Sequence, residues 1–147
     1  NFRGKTVVLT TSAGTQGIAN AAGADEVITG SFVNAGAIIR YIRHRRPEEL
    51  SLVCMGLEAV RPTEEDTLLA EYIKATLEGR TFDLQPGRDL VRHTSGRRFF
   101  DPANRESEPS SDFDLCLELD RFDFVLRAEP SGRKSGLIQL RQIETEH

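Results

Sequence analysis

The sequence offers no support for a membrane span, a zinc centre or a disulfide scaffold. No apolar run approaches the ~20 residues that a membrane helix needs. There are only two cysteines, Cys54 and Cys116, each flanked by leucine or valine and methionine. Both are expected as buried thiols acting as small hydrophobes, and no secretory feature supports pairing them. His44, His93 and His147 stand far apart, with no His or Cys partner at ligand spacing, which argues against zinc. Aspartate and glutamate remain as metal ligands, and they suit a hard ion such as magnesium. Positive charge is not in excess: 19 basic residues face 23 acidic ones, for a net charge of -4. That removes the electrostatic argument for nucleic acid. Neither nucleic acid nor membrane is expected as a partner. No signal peptide is visible, and a cytoplasmic location is expected. What is present is a globular balance, 38% hydrophobic and 29% charged over 147 residues, the size of one domain.

The first half alternates strand and helix signals. Residues 5–11 (KTVVLTT) are β-branched and apolar, the pattern of a buried strand. A small-residue loop, Ser12-Ala13-Gly14-Thr15-Gln16-Gly17, leads into a helix over 18–22 that Gly23 stops. A second strand is predicted over 26–29. A longer helix starts at Ser31 or Asn34, with Ala35, Ile38, Ile39 and Ile42 on one stripe. Arg40, Arg43, Arg45 and Arg46 crowd its other face and its end, and Pro47 closes it. Residues 51–55 read as a third strand. Thr63 then caps a helix with Glu64, Glu65 and Asp66 in its first turn and Leu69, Tyr72, Ile73 and Leu77 as its buried stripe. The alternation predicts an α/β fold with largely parallel strands, whose following loops share one sheet edge.

The second half is less regular. A short helix fits 88–95. Residues 96–111, rich in Pro, Ser and charge, read as a mobile loop or lid. Residues 112–120 fit a strand by alternation of Phe113, Leu115, Leu117 and Leu119, and a helix by Phe113, Cys116 and Leu117. Strands are predicted over 122–128 and 136–143, joined by a Pro-Ser-Gly turn.

The candidate chemistry lies at the strand ends. The segment from Thr10 to Gly17 combines glycine, hydroxyls and a helix start, a combination suited to an oxyanion. It lacks the lysine of a P-loop and the first glycine of a dinucleotide fingerprint, and an ordinary turn with capping hydroxyls explains it equally well. Ser31 and Asn34 follow the second predicted strand and also read locally as helix caps. Gly56 follows the third. Glu65 and Asp66 most simply complement a helix dipole, yet on the same edge they would serve as metal ligands or as acid and base.

Taken together, these blocks resemble the 2-phosphosulfolactate phosphatases, magnesium-dependent enzymes of coenzyme M biosynthesis. The family's Thr-Thr-Asn-Gly-Thr loop is similar to Thr11-Ser12-Ala13-Gly14-Thr15. Its Gly-Ser-Phe-x-Asn-Ala block is matched by Gly30-Ser31-Phe32-Val33-Asn34-Ala35. Its Cys-x-Gly strand end resembles Cys54-Met55-Gly56, and its Glu-Asp pair resembles Glu65-Asp66. Its late Cys-Leu-x-Leu-Asp-x-Phe-Asp block resembles Cys116-Leu117-Glu118-Leu119-Asp120-Arg121-Phe122-Asp123.

The resemblance implies a three-layer α/β/α fold with a mixed, largely parallel sheet, with Cys116 on a helix. It implies Mg²⁺-dependent hydrolysis of a small phosphorylated sulfo-carboxylic acid. Thr11, Ser12, Gly14, Thr15, Ser31, Asn34 and Gly56 would bind that anionic substrate. Glu65 and Asp66 would serve catalysis and the metal. The family's loop asparagine stands here as Ala13. Its Asp-x-Leu-Arg and Asn-Ser-Pro blocks lie upstream of the Thr-Thr loop. The chain is therefore expected to be the C-terminal part of a longer phosphatase, completed by an N-terminal segment or paired as a homodimer. Arg61 is the nearest candidate for a catalytic cation. A non-catalytic module for an anionic metabolite is the rival reading, and a nucleotide-binding domain is a weaker one.

Overall fold

The computed structural model describes residues 3–131 and 137–145. Five α-helices are present among them: α1 (Gly14–Asn20), α2 (Ala35–Arg45), α3 (Glu64–Leu77), α4 (Gln85–His93) and α5 (Ser110–Cys116). Three strands, β1 (Ile28–Thr29), β2 (Phe124–Pro130) and β3 (Ile138–Glu144), form one sheet in the order β1-β2-β3. Both pairings are antiparallel. Thr29 lies opposite Leu126, and Val125 opposite Ile143. The Pro-Ser-Gly turn and the predicted start of the last strand at Gly136 fall partly outside the described residues.

Helix α2 forms where the apolar stripe predicts it. Ala35, Ile38, Ile39 and Ile42 are buried, and Arg46 closes the helix in the left-handed region at φ 47. Each buried isoleucine stabilises the fold by about 1.5–3 kcal/mol. Against this stripe pack Ile73 of α3 and Val125 of β2. A second cluster joins Phe32, Leu68, Val91, Phe113 and Leu117. Helix α3 contributes to both clusters through Ile73 and Leu68, so it ties the two halves of the interior together. The helical period wins in the late block: Phe113 and Leu117 lie one turn apart and both face inward. The segment read as a lid carries two 3₁₀ stretches, Ser95–Phe100 and Pro102–Asn104, and packs Phe99 and Phe100 on Phe113.

Two of the predicted strands are not strands among the described residues. Residues 5–11 and 51–55 join no ladder, and Val7, Val8, Leu9 and Val53 are 60%, 84%, 73% and 73% exposed. Their pattern is that of buried strands, but a strand exists only when a neighbour accepts its N–H and C=O groups. Cysteine burial is also corrected, since both thiols are free and exposed. Cys54 lies on the unpaired segment 51–55. Cys116 sits beside the inward positions that Phe113 and Leu117 occupy.

A cross-chain clasp holds α2 to the start of β2. The Asp120 and Phe122 amides donate to the carbonyls of Phe32 and Val33, at 3.1 and 2.7 Å. The Gly36 amide donates to Asp120 Oδ1 at 2.5 Å. Asn34 Nδ2 donates to the Phe124 carbonyl at 3.2 Å, while its Oδ1 accepts from the Ser31 amide at 3.1 Å. A side chain at Gly36 would press on the Asp120 carboxylate and would have to push it aside. Replacing the buried Asn34 by alanine leaves the Ser31 amide and Phe124 carbonyl without their partner. We expect Asn34→Ala to lower unfolding free energy by about 2–4 kcal/mol in urea titration, and Ser31→Ala by under about 1 kcal/mol.

Candidate functional site

The start of α1 is built by two threonines. Thr15 Oγ1 donates to the Thr11 carbonyl at 2.8 Å, and the Thr15 amide donates to Thr11 Oγ1 at 3.1 Å. Because Thr11 Oγ1 accepts there, its own proton is free to donate outward. Ser12 is exposed beside it, and Ala13 stands at the helix cap position with no side-chain cap. Two hydroxyl donors thus lie together on an exposed turn.

Met55 meets the helix that follows this turn. The Met55 thioether packs so closely on Gly17 that any side chain there would collide with it. Gly56 adopts φ +62, a region that favours glycine, and a Cβ there would strike the Arg61 carbonyl. Leu57 and Arg61 close this turn as an antiparallel bridge, with Leu57 N donating to the Arg61 carbonyl at 2.8 Å. The Gly56 amide donates to Asp66 Oδ2 at 2.7 Å. So Met55 sets the Gly56 turn against Gly17 of α1, the Gly56 amide ties that turn to Asp66, and the Arg61 backbone closes it.

Glu65, one residue earlier on α3, turns elsewhere. Its Oε2 accepts from Ser95 Oγ at 2.6 Å. Sequence reasoning missed Ser95, because nothing in its spacing links it to a residue 30 positions away. Ser31 and Asn34 belong to the clasp. The Asn34 amide is 5% exposed and bonded at both ends within the protein, whereas Ser31 is exposed.

Carboxylates act on the Cys54 thiol beside the Gly56 turn. The Cys54 thiol is pushed up from its ordinary value by partial burial, then by the carboxylates of Asp66 and Glu71. A dianionic phosphate meets the same repulsion unless a cation offsets it. Asp66 and Glu65 each give one oxygen to a protein donor and keep the other. Among the described residues no group of three His, Cys, Asp or Glu could hold a metal. That donor set does not make a closed cage. It fits magnesium in its usual sharing mode, with one or two carboxylates, substrate phosphate oxygens and water. A groove of about 310 Å³ between α3 and α4 includes Glu64, Glu71 and Leu68 in its lining but no cation, so it is a poor seat for phosphate.

In a Cys116→Ser background, Cys54 alkylation by iodoacetamide should have a pH midpoint above that of an ordinary thiol. Asp66→Asn removes a negative charge that disfavours the thiolate, so the midpoint should move down. An unchanged midpoint would contradict the proximity of Asp66.

Comparison with known proteins places these residues in context. The model of the 2-phosphosulpholactate phosphatase family matches residues 1–130. A probable 2-phosphosulfolactate phosphatase of Caldanaerobacter subterraneus is 27% identical over 95% of this chain and 60% of its own length. One of Thermotoga maritima is 37% identical over 71% of this chain and 42% of its own length. One of Caldicellulosiruptor saccharolyticus is 41% identical over 47% of this chain and 30% of its own length. The chain thus spans at most about 60% of the length of these curated relatives. No solved structure matches it.

Proposed function

The chain belongs to the 2-phosphosulfolactate phosphatase family, and from that membership we propose that it forms part of a Mg²⁺-dependent phosphatase. Its substrate is a small phosphorylated sulfo-carboxylic acid like 2-phosphosulfolactate. The observation that carries this reading is the family match over residues 1–130, and it is supported by the Gly56 amide bonded to Asp66 next to Met55, which packs on Gly17 of α1.

In this reading the Thr11 and Ser12 hydroxyls and the Gly14 amide bind the phosphate or sulfonate. Ser31 reaches the substrate, and Asn34 fixes the backbone that carries Ser31. Asp66 would hold magnesium. When bound, the ion supplies Lewis-acid polarisation of the phosphoryl group. Glu65, oriented by Ser95, accepts a proton from the attacking water as its oxygen bonds to phosphorus. The ester P–O bond breaks, and the leaving oxygen takes up the proton from Glu65 and departs as the alcohol. Arg61 is the candidate for balancing the developing charge.

The three-layer α/β/α arrangement is part of the same proposal. Residues 5–11 and 51–55 become parallel strands once an N-terminal segment or a homodimer mate offers them a ladder. A cytoplasmic site of action and a role in coenzyme M biosynthesis follow from the same reading. No helix among the described residues is long and apolar enough to cross a membrane. Ala13, without the amide of the family loop, favours a second reading: a module that binds an anionic metabolite and does not turn it over.

The test is phosphate release from 2-phosphosulfolactate by this chain and by the longest native form of the protein, with magnesium and with chelator. Chelation should reduce release to background, and Asp66→Asn should lower kcat/KM by about 10²–10³-fold. Binding of sulfolactate without phosphate release by either form would replace this reading with the second.

A further inference from the structure

Strand β3 is the outer strand of the sheet, and among the described residues nothing pairs with its free edge. Such an edge is a template for another chain, and proteins blunt it with lysine, proline, bulges or short length. β3 carries none of these devices. It pairs with β2 residue for residue from Ile138 to Glu144, with no bulge, no lysine and no proline. We propose that this edge pairs antiparallel with β3 of a second copy of the chain, joining two three-stranded sheets into one across a twofold axis at Leu140.

The backbone hydrogen bonds decide which groups face the edge. The Ser131 amide donates to the Leu137 carbonyl at 2.9 Å, so Leu137 turns inward to β2. The Ala128 amide donates to the Val27 carbonyl at 2.9 Å, so Ala128 faces β1 and its partner Leu140 is left unbonded on that side. By the antiparallel alternation, Ile138, Leu140, Gln142 and Glu144 direct their N–H and C=O groups out along the free edge. The side chains of these four share the sheet face opposite α2, because Ile143 and Val125 pack into the core under α2. Ile138 and Leu140 are exposed there.

A second copy fits this edge because β3 is complementary to itself. A twofold axis must set one residue opposite its own equivalent, so few registers exist. With the axis at Leu140, Leu140 meets Leu140 and Ile138 meets Gln142 as mutually bonded pairs. On the other face, Gln139 meets Arg141 and Leu137 meets Ile143. Apolar side chains meet apolar ones or the stem of an amide, and no like charges are opposed. An axis at Arg141 would set two guanidinium groups face to face. An axis at Gln142 would set Leu140 against the Glu144 carboxylate, and one at Gln139 shortens the ladder. Arg141 itself is drawn aside within its own chain, where its Nε donates to Glu129 Oε2 at 2.7 Å. β3 holds no residue assigned to phosphatase chemistry, so failure of this inference leaves that reading untouched.

The experiment is sedimentation equilibrium over a wide range of protein concentration, on this chain and on the longest native form of the protein. A monomer–dimer equilibrium is expected in both. Leu140→Lys sets two ammonium groups face to face and should raise the dimer dissociation constant about tenfold or more. Ile138→Lys should also raise it. Leu115→Lys, at an exposed side chain of α5, should leave it unchanged. Hydrogen exchange reads the edge itself. The Leu140 and Gln142 amides should be protected in the dimer and exchange fast on dilution, while those of Arg141 and Ile143, which turn to β2, stay protected in both. Unchanged exchange at Asp120 and Phe122 would confirm that the variants fold. A monomer at every concentration in either form, or a dimer that Leu140→Lys and Ile138→Lys both leave intact, would overturn the proposal. Protected Leu140 and Gln142 amides in a monomeric longest form would give the edge to another segment of that protein and overturn it too.

Discussion

The buried Asn34 amide is the joint on which the rest of the structure depends. It meets the Ser31 backbone on one side and the Phe124 backbone on the other. Around it, Asp120 and Phe122 bond to Phe32 and Val33, and Asp120 caps the Gly36 amide. This clasp sets the start of α2 against the start of β2, which lets Ile38, Ile39 and Val125 share one core. Removing a buried polar partner costs more than the net worth of its bonds, because the stranded groups stay away from water. Losing this one side chain therefore costs about as much as losing a buried apolar one.

Helix α3 carries that order to the candidate site. Its middle packs into both clusters, through Ile73 and Leu68. Its first turn reaches two ways: Asp66 to the Gly56 amide and Glu65 to the Ser95 hydroxyl. Adjacent residues on a helix point about a quarter-turn or more apart, so the two carboxylates divide between two neighbours. This explains why Asp66 meets the Gly56 amide while Glu65 is held by Ser95.

Much of this was legible in the sequence. The α2 stripe, the acidic first turn of α3 and a strand expected over 122–128, which the structure places at 124–130, follow from period and composition alone. The meeting of the blocks around Asp120 and Ser31 does not, because no local pattern encodes a contact 84–90 residues apart. The resemblance grouped those blocks but not their bonds. The clearest difference lies at 5–11 and 51–55. A short β-branched, apolar run predicts a strand from local composition, but a strand forms only where a neighbour pairs with it, and no local pattern encodes that pairing. Cys54 went with its segment. Ser95 carried no spacing signal at all.

Native-state hydrogen exchange tests the account most directly, since it reads each backbone bond separately. The amides of Ser31, Asp120 and Phe122 should be among the slowest to exchange, while those of Val7, Val8, Leu9 and Val53 should exchange near the unprotected rate. Strong protection at Val7–Leu9 together with rapid exchange at Asp120 and Phe122 would contradict it.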